Sequence, residues 1–117
     1  MILCGDFCVT EGYINKNTII YYDPPYRAIS KSSFVSYTKS GFNDNEQIRL
    51  ANYIKKISNK SKLQILSNSD PKNADNNDNF FDYLYRNFKI ERINAKRSIN
   101  SDGNKRGNIS ELLISDL

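Results

Sequence analysis

The amino-acid sequence predicts an α/β fold with one sheet that ends in an antiparallel hairpin. Short apolar runs rich in β-branched residues alternate with segments of helical periodicity, and this alternation is typical of α/β sheets. The last two strand-like runs have no helix between them, which favours antiparallel pairing. The length of 117 residues fits one domain with one core.

Two strands are predicted in the N-terminal part. Met1–Cys4 is a short apolar run that ends at residues 5–7, and residues 17–22 are β-branched and aromatic, as in buried strands. The second strand must stop at residues 23–26, because two consecutive prolines cannot continue a ladder of backbone hydrogen bonds. Residues 27–42 show no clear period, and we expect an ordered loop there.

The most regular pattern predicts a helix from about residue 44 to residue 58. Asn43 can cap its N-terminus, with Glu46 three positions later as in a capping box. Apolar residues then recur at near-helical spacing. The other predicted elements are a buried strand over residues 62–67, a mobile Asn/Asp-rich loop over 71–79, a short helix over 80–85, strands over 88–95 and 111–115, and a basic loop over 96–108.

The composition excludes several kinds of catalytic and metal-binding site. The sequence has no histidine, which excludes Ser-His and Cys-His catalysis, and its two cysteines cannot alone fill a four-coordinate zinc site. The net charge of +4 permits a polyanionic partner without requiring one. No stretch approaches the length of a membrane span, and the cysteine usage fits a reducing compartment. We therefore expect a cytoplasmic protein without a metal site.

The segment Asp23-Pro24-Pro25-Tyr26 is the strongest functional pattern in the sequence. An Asp carboxylate and a rigid Pro carbonyl can together accept both hydrogens of an exocyclic amino group, and a tyrosine can stack on a planar base. The alternative is a strand-to-loop turn with an aromatic plug. The position after a buried strand favours function, because ligands bind at the carboxyl ends of strands in such sheets. Asp6 and Asn68 also follow predicted strands.

The same segment carries a resemblance to a known family. Tyr22–Tyr26 resembles the catalytic motif of DNA methyltransferases that methylate amino groups, and further segments resemble the Dam-type N6-adenine subgroup in that family's order. These segments are Phe34–Phe42, Glu46–Ala51, Leu66–Asp70, Arg97–Asn100, Arg106 and Glu111–Ile114. The resemblance implies transfer of a methyl group from S-adenosylmethionine to N6 of adenine in double-stranded DNA, as by a modification methylase of a restriction–modification pair.

The resemblance also implies roles for individual residues. Asp23 and Pro24 would accept the hydrogens of the adenine amino group, next to Pro25, and Tyr26 would stack on the base after it is flipped out of the duplex. Contact with the cofactor is implied for Asp6, Phe7 and Asp23. Contact with the target base or the DNA is implied for Tyr26, Phe34, Tyr37, Asn68, Arg97, Ser98 and Arg106.

Purely structural roles remain open for several of these residues. Asp6 and Phe7 also fit an ordinary turn, the aromatic residues near Phe34 also fit a loop pinned to the core, and Asn68 also fits a partner for turn backbone groups. The basic residues around Arg97 fit contacts with DNA phosphates and a solvated loop about equally well.

The resemblance covers the C-terminal part of such an enzyme. The family's Phe-x-Gly-Gly cofactor loop and target-recognition region have no counterpart here. The implied fold is a partial Rossmann-like methyltransferase sheet without its first two strands, with residues 1–117 as a single partial catalytic domain. Met1–Cys4 would be its third strand and residues 17–22 its fourth, with unpaired edges between them. Either the missing N-terminal half or another chain covers these edges, or they pack together in a way unlike the family.

This incompleteness leads to an expectation about activity. We expect the isolated chain to bind S-adenosylmethionine poorly and to be inactive alone. One alternative is a non-catalytic remnant that binds nucleic acid or another subunit. Another is a methyltransferase that acts on protein or RNA, which Asp rather than Asn at the first motif position disfavours.

Overall fold

The computed structural model describes residues 3–27, 42–96 and 108–117. Within these ranges, each strand and α-helix from residue 19 onward lies close to where the sequence predicts one. The elements are the strands β1 (Ile19–Tyr22), β2 (Leu63–Ser69), β3 (Lys89–Lys96) and β4 (Asn108–Ser115), the helices α1 (Asp44–Ile57) and α2 (Phe80–Leu84), and the 3-10 helices Phe7–Tyr13 and Pro71–Asn73.

The strands form one sheet in the order β1-β2-β4-β3. β1 and β2 are parallel, in a register that runs from Ile19 opposite Leu63 to Tyr22 opposite Leu66. β4 is antiparallel to both of its neighbours, β2 and β3. The parallel pair joined through α1 and the antiparallel β3–β4 pair confirm the predicted α/β sheet with its hairpin.

The core lies between α1 and the sheet. α1 begins after Asn43, whose Oδ1 accepts a hydrogen bond from Glu46 N–H (3.2 Å), as the predicted capping box requires. Each apolar side chain that leaves water contributes roughly 1.5–3 kcal/mol. The buried cluster contains Leu50, Ala51, Ile54 and Ile57 of α1, Leu66 of β2, Leu112 and Ile114 of β4, and Phe81, Leu84 and Tyr85 in and after α2. None of the described helices is long and apolar enough to cross a membrane.

The predicted strand over Met1–Cys4 is wrong for the part that the structure describes. Its last two residues form no strand, and Gly5 turns the chain at a φ of 147°, a conformation that favours glycine. The Asp6 carboxylate accepts a hydrogen bond from Cys8 N–H (3.1 Å) and caps the 3-10 helix Phe7–Tyr13. A glycine turn followed by an Asp cap therefore starts a helical segment here, directly after Leu3 and Cys4.

β1 lies at one edge of the sheet. Within the described residues its backbone pairs with β2 alone, and the side chains of Ile19 and Tyr21 are 60% and 61% exposed. An edge strand of this kind offers unpaired backbone donors and acceptors to a further strand.

The Asn/Asp-rich segment after β2, where the sequence predicts a mobile loop, contains local hydrogen-bonded structure. Asp70 caps the 3-10 helix Pro71–Asn73 by accepting a hydrogen bond from Lys72 N–H (3.0 Å). Lys72 Nζ donates to the carbonyl of Asn76 (2.9 Å). The short polar side chains that favour turns organise this segment.

Candidate active site

The loop that follows β1 borders an open cavity of about 260 Å³. Pockets for small molecules commonly begin at about 300 Å³, so the cavity is close to the lower end of that range. The structure brings Phe7, predicted to contact the cofactor, to the same cavity as the predicted catalytic residues Asp23 and Pro24. The residues that line it are Phe7, Tyr21, Tyr22, Asp23, Pro24, Phe42 and Leu50.

The Asp23 side chain is exposed and is held on one side by β2. Ser67 Oγ donates to Asp23 Oδ1 (3.4 Å) and accepts from the Tyr21 hydroxyl (2.9 Å). Because a serine hydroxyl has a single hydrogen, the bond from Tyr21 leaves that hydrogen free to point at Asp23. Among the described residues, none donates to the second Asp23 oxygen or to the Pro24 carbonyl. These two acceptors therefore remain available on residues that line the cavity.

The Tyr26 side chain is half-buried, and its hydroxyl donates to Glu111 Oε2 on β4 (3.3 Å). Burial raises the pKa of Tyr26 above its usual value, and the Glu111 carboxylate adds to this shift. The hydroxyl therefore keeps its hydrogen at neutral pH. Tyr26 is outside the set of residues that line the cavity, and its stacking on a flipped base stays a prediction.

Side chains from α1 and β2 hold the backbone of the motif loop. Gln47 Nε2 donates to the Pro25 carbonyl (3.0 Å), and Arg27 N–H donates to Asn68 Oδ1 (2.9 Å). Asn68 is 0% exposed and is not part of the cavity wall. The structure thus gives Asn68 the backbone partners of the structural alternative, and its contact with substrate or DNA stays a prediction.

Arg27, directly after the motif, ties the end of the loop to two acidic residues. Its guanidinium pairs with Asp44 (Nε–Oδ1, 2.9 Å) and Asp78 (Nη1–Oδ2, 3.0 Å) and lies 4.2 Å from the centroid of the Phe80 ring. Burial alone would lower the pKa of Arg27, but the two carboxylates reverse the shift and raise it. A planar guanidinium can make these contacts together, so Arg27 anchors the loop to the N-terminus of α1.

Asp6 and Phe7 lie against α1. Both carboxylate oxygens of Asp6 accept hydrogen bonds from Arg49 (2.9 Å for Nη1–Oδ2), and Arg49 holds the pKa of Asp6 well below its usual value. The Arg49 guanidinium lies 4.3 Å from the centroid of the Phe7 ring, which meets Tyr53 edge-on. The Phe7 ring is thereby fixed at the cavity wall, and cofactor contact by Asp6 and Phe7 stays a prediction.

Comparison with known proteins identifies the family. Residues 1–99 match the family model described as D12 class N6 adenine-specific DNA methyltransferase. The chain belongs to this family. This confirms the resemblance to Dam-type N6-adenine DNA methyltransferases, and it implies a methyl donor and a DNA substrate for the family.

Individual relatives agree with this assignment to the D12 class. The chain is 46% identical over 115 residues to the type II methyltransferase M.MjaIII of Methanocaldococcus jannaschii, covering 97% of the chain and 38% of that protein. It is 33% identical over 116 residues to the type II methyltransferase M1.LlaDCHI of Lactococcus lactis subsp. cremoris, covering 98% and 38%. It is 32% identical over 115 residues to a DNA adenine methylase of Haemophilus influenzae, covering 97% and 38%. The D12-class chain thus spans about two-fifths of the length of these relatives.

Part of the predicted site lies outside the described residues of the D12-class chain. The structure gives no geometry for these residues, and their roles stay predictions. They are Phe34, Tyr37, Arg97, Ser98 and Arg106. In the ranges that the structure does describe, no group of three or more His, Cys, Asp or Glu side chains could hold a metal ion.

Sequence reasoning missed three residues that hold the D12-class motif: Arg27, Gln47 and Ser67. Gln47 could have been found from the sequence, because it is a polar residue at a position of the apolar face of α1, one turn before Leu50. The structure shows that it is buried there. Arg27 and Ser67 have no such signal, because their partners are distant in sequence and meet them only in the folded chain. The Arg27 partner Asp78, for example, is 51 residues away in sequence.

Proposed function

We propose that this chain forms the amino-group-binding side of an active site that transfers a methyl group from S-adenosylmethionine to N6 of adenine in double-stranded DNA. The observation that carries the proposal is the placement of Asp23 and Pro24 on the wall of a cavity directly after β1. Membership of the D12 class supports it. So do the relatives that are named type II methyltransferases and DNA adenine methylases.

In this proposal Asp23 and Pro24 bind the target amino group. Their carboxylate and carbonyl oxygens accept its two hydrogens, which raises electron density on the nitrogen and stabilises the positive charge that develops as the N–C bond forms. S-adenosylmethionine would supply the electrophilic methyl group, with cleavage of its S–CH3 bond and departure of S-adenosylhomocysteine, and the methylated nitrogen would lose its surplus proton to solvent. Two contacts restrict these acceptors before substrate arrives. Ser67 Oγ donates to Asp23 (3.4 Å), and Gln47 donates to the next carbonyl along the chain, that of Pro25 (3.0 Å).

The surroundings of the amino group divide into a base side and a cofactor side. Tyr26 would brace the flipped adenine by stacking. Phe7, with its ring at the cavity wall, and Asp6 would hold the cofactor together with Asp23. Contacts with the base or the duplex are assigned to Phe34, Tyr37, Asn68, Arg97, Ser98 and Arg106, of which the arginines would neutralise phosphates.

The proposal includes a partial catalytic domain over residues 1–117, within a larger Rossmann-like sheet. The edge position of β1, with exposed Ile19 and Tyr21, supports the pairing of a further strand there. The coverage of 38% of each relative supports the same conclusion. The further strand would come from the N-terminal part of the enzyme or from another chain, and the isolated chain would then bind cofactor poorly.

A fusion protein tests the proposal. This chain replaces the segment that it matches in the Methanocaldococcus jannaschii relative, and the fusion is incubated with duplex DNA and S-adenosylmethionine labelled in the methyl group. We expect labelled N6-methyladenine in the digested DNA. Asp23→Ala should reduce it by about 100-fold or more, because a fixed acceptor at the reacting group is lost. Asp75→Ala removes an exposed carboxylate elsewhere and should change the yield by less than about twofold.

Two results would count against the proposal. Equal yields from Asp23→Ala and the unaltered fusion would show that this carboxylate does not bind the amino group. A folded fusion that yields no methyladenine, in conditions where the relative is active, would instead favour a non-catalytic remnant that binds nucleic acid or another subunit.

A further inference from the structure

The backbone on both sides of Tyr26 is bound by side chains from two other elements. On the N-terminal side, the Pro25 carbonyl accepts from Gln47 Nε2 (3.0 Å). On the C-terminal side, Arg27 N–H donates to Asn68 Oδ1 (2.9 Å). The motif leaves β1 through two prolines, which cannot donate backbone hydrogen bonds. These side-chain contacts therefore take over the positioning that a ladder of backbone bonds provides in a strand.

The two amide side chains are also bonded to each other. Asn68 Nδ2 donates to Gln47 Oε1 (3.1 Å). The direction of each amide is dictated by its backbone partner: a carbonyl can only accept, so the Gln47 nitrogen must face Pro25, and an N–H can only donate, so the Asn68 oxygen must face Arg27. These requirements leave the Gln47 oxygen and the Asn68 nitrogen facing one another, which is the pairing observed. The three hydrogen bonds that join Pro25, Gln47, Asn68 and Arg27 are therefore compatible with one another, and we call this set of four residues the amide relay.

The relay is buried and separate from the cavity. Gln47 is 1% exposed and Asn68 is 0% exposed, and neither residue lines the cavity. Removing one member of a buried hydrogen-bonded set leaves its partners without bonds. Removing either side chain is therefore expected to disturb the backbone on both sides of Tyr26, at Pro25 and at Arg27.

We propose that Gln47 and Asn68 are positioning residues for methyl transfer: the amide relay sets the path of the Pro25–Arg27 backbone and, through it, the placement of Pro24 and Tyr26 around the target amino group. This inference rests on the proposed function. In this inference Asn68 orients the backbone of the loop, in addition to the substrate contact that the family resemblance implies.

Amide hydrogen exchange in the full 117-residue chain tests the relay without requiring activity. Gln47→Met keeps the volume and removes both of its hydrogen bonds. We expect the Arg27 amide to exchange about tenfold faster or more, although Gln47 does not contact it. The Asn68 side-chain nitrogen loses its partner Gln47, and Asn68 Oδ1 is then oriented by the backbone N–H of Ser69 (2.8 Å) without the Gln47 contact. Asn52→Met, an exposed amide on the same helix, should leave the exchange within about twofold. Unchanged exchange of the Arg27 amide in a folded Gln47→Met chain would overturn the relay.

Steady-state kinetics of the fusion protein test the link to methyl transfer. Gln47→Glu keeps the acceptor for Asn68 but loses the donor to the Pro25 carbonyl. We expect kcat to fall about tenfold or more with KM for DNA unchanged, the pattern of an interaction needed in the transition state. A loss of thermal stability with unchanged kcat would show that the relay is structural only. If the unaltered fusion transfers no methyl group, the proposed function fails and the catalytic role of the relay fails with it, while the exchange experiment still decides whether the relay exists.

Discussion

Removing the hydroxyl groups of two buried tyrosines should change the stability of this protein in opposite directions. Tyr22, the last residue of β1, donates to Gln64 Oε1 at 2.6 Å. The Tyr85 hydroxyl is buried and has no hydrogen-bond partner among the described residues. Both side chains border the same small cavity of about 10 Å³, so the two sites are close to each other and differ in whether the hydroxyl is paired.

The expected changes in the free energy of unfolding follow from whether each hydroxyl has a hydrogen-bond partner. Tyr22→Phe leaves the buried Gln64 oxygen without its donor, and an unsatisfied buried acceptor costs about 1–3 kcal/mol. Tyr85→Phe removes a hydroxyl that was desolvated without compensation, which returns a penalty of about 1–3 kcal/mol. The cavity grows by one oxygen atom, and at about 24 cal/mol per Å³ this offsets only a few tenths of a kcal/mol. We expect Tyr22→Phe to destabilise and Tyr85→Phe to be neutral or stabilising, with a difference of about 2 kcal/mol or more between the two variants.

Urea unfolding followed by circular dichroism measures both variants against the unaltered chain. The comparison is matched, because each variant loses one oxygen atom and keeps its ring. Destabilisation by Tyr85→Phe of about 1 kcal/mol or more would refute the reasoning, since it would show that the hydroxyl is hydrogen-bonded in solution, for instance to a water in the small cavity.

Two further changes also have defined expected outcomes. Burial tends to raise the pKa of Asp70, but hydrogen bonds from Ser110, then from the backbone N–H of Lys72 and then from Arg92 outweigh it and lower the pKa. The stability from this carboxylate is thus present above about pH 4 and is lost as pH falls through the lower folded-state pKa. Asp70→Asn should cost about 1–3 kcal/mol in urea unfolding at pH 7 and much less near pH 2; equal losses at both would contradict this. Arg27→Lys leaves one ammonium group where a guanidinium binds Asp44 through two nitrogens, so we expect a loss of about 1–2 kcal/mol; an unchanged urea midpoint would contradict it.

The elements from β1 onward could be predicted because their signals are local. β1 combines four β-branched or aromatic residues with a stop at two prolines, and α1 combines a capping box with helical spacing. The order of β3 and β4 as an antiparallel pair follows from the absence of a helix between them. The 3-10 helix Phe7–Tyr13 was not predicted because short 3-10 segments have no periodic pattern; it depends on the Asp6 cap and on packing against α1.

In the candidate site, too, the residues with local sequence signals could be predicted and those that depend on long-range contacts could not. The acceptor pair Asp23 and Pro24 could be found from sequence, because a strand end and a rigid turn are encoded within eight residues. The residues that hold this pair could not. Asn68 meets Gln47 across 21 residues, and Ser67 meets Asp23 across 44. Such contacts depend on the register of β1 against β2 and on the rotation of α1 above them, which no local pattern specifies.

The order of strands in the sheet constrains when the sheet can assemble during protein synthesis. β4 follows the other described strands in sequence, yet it lies between β2 and β3 and pairs with both. Until residues 108–115 leave the ribosome, β2 lacks its inner neighbour and β3 has no partner among the described strands. Non-local strand pairing of this kind forms late and exposes strand edges in the meantime. The nascent chain therefore exposes one edge of β2 and the backbone of β3 to proteases and aggregation until β4 has left the ribosome.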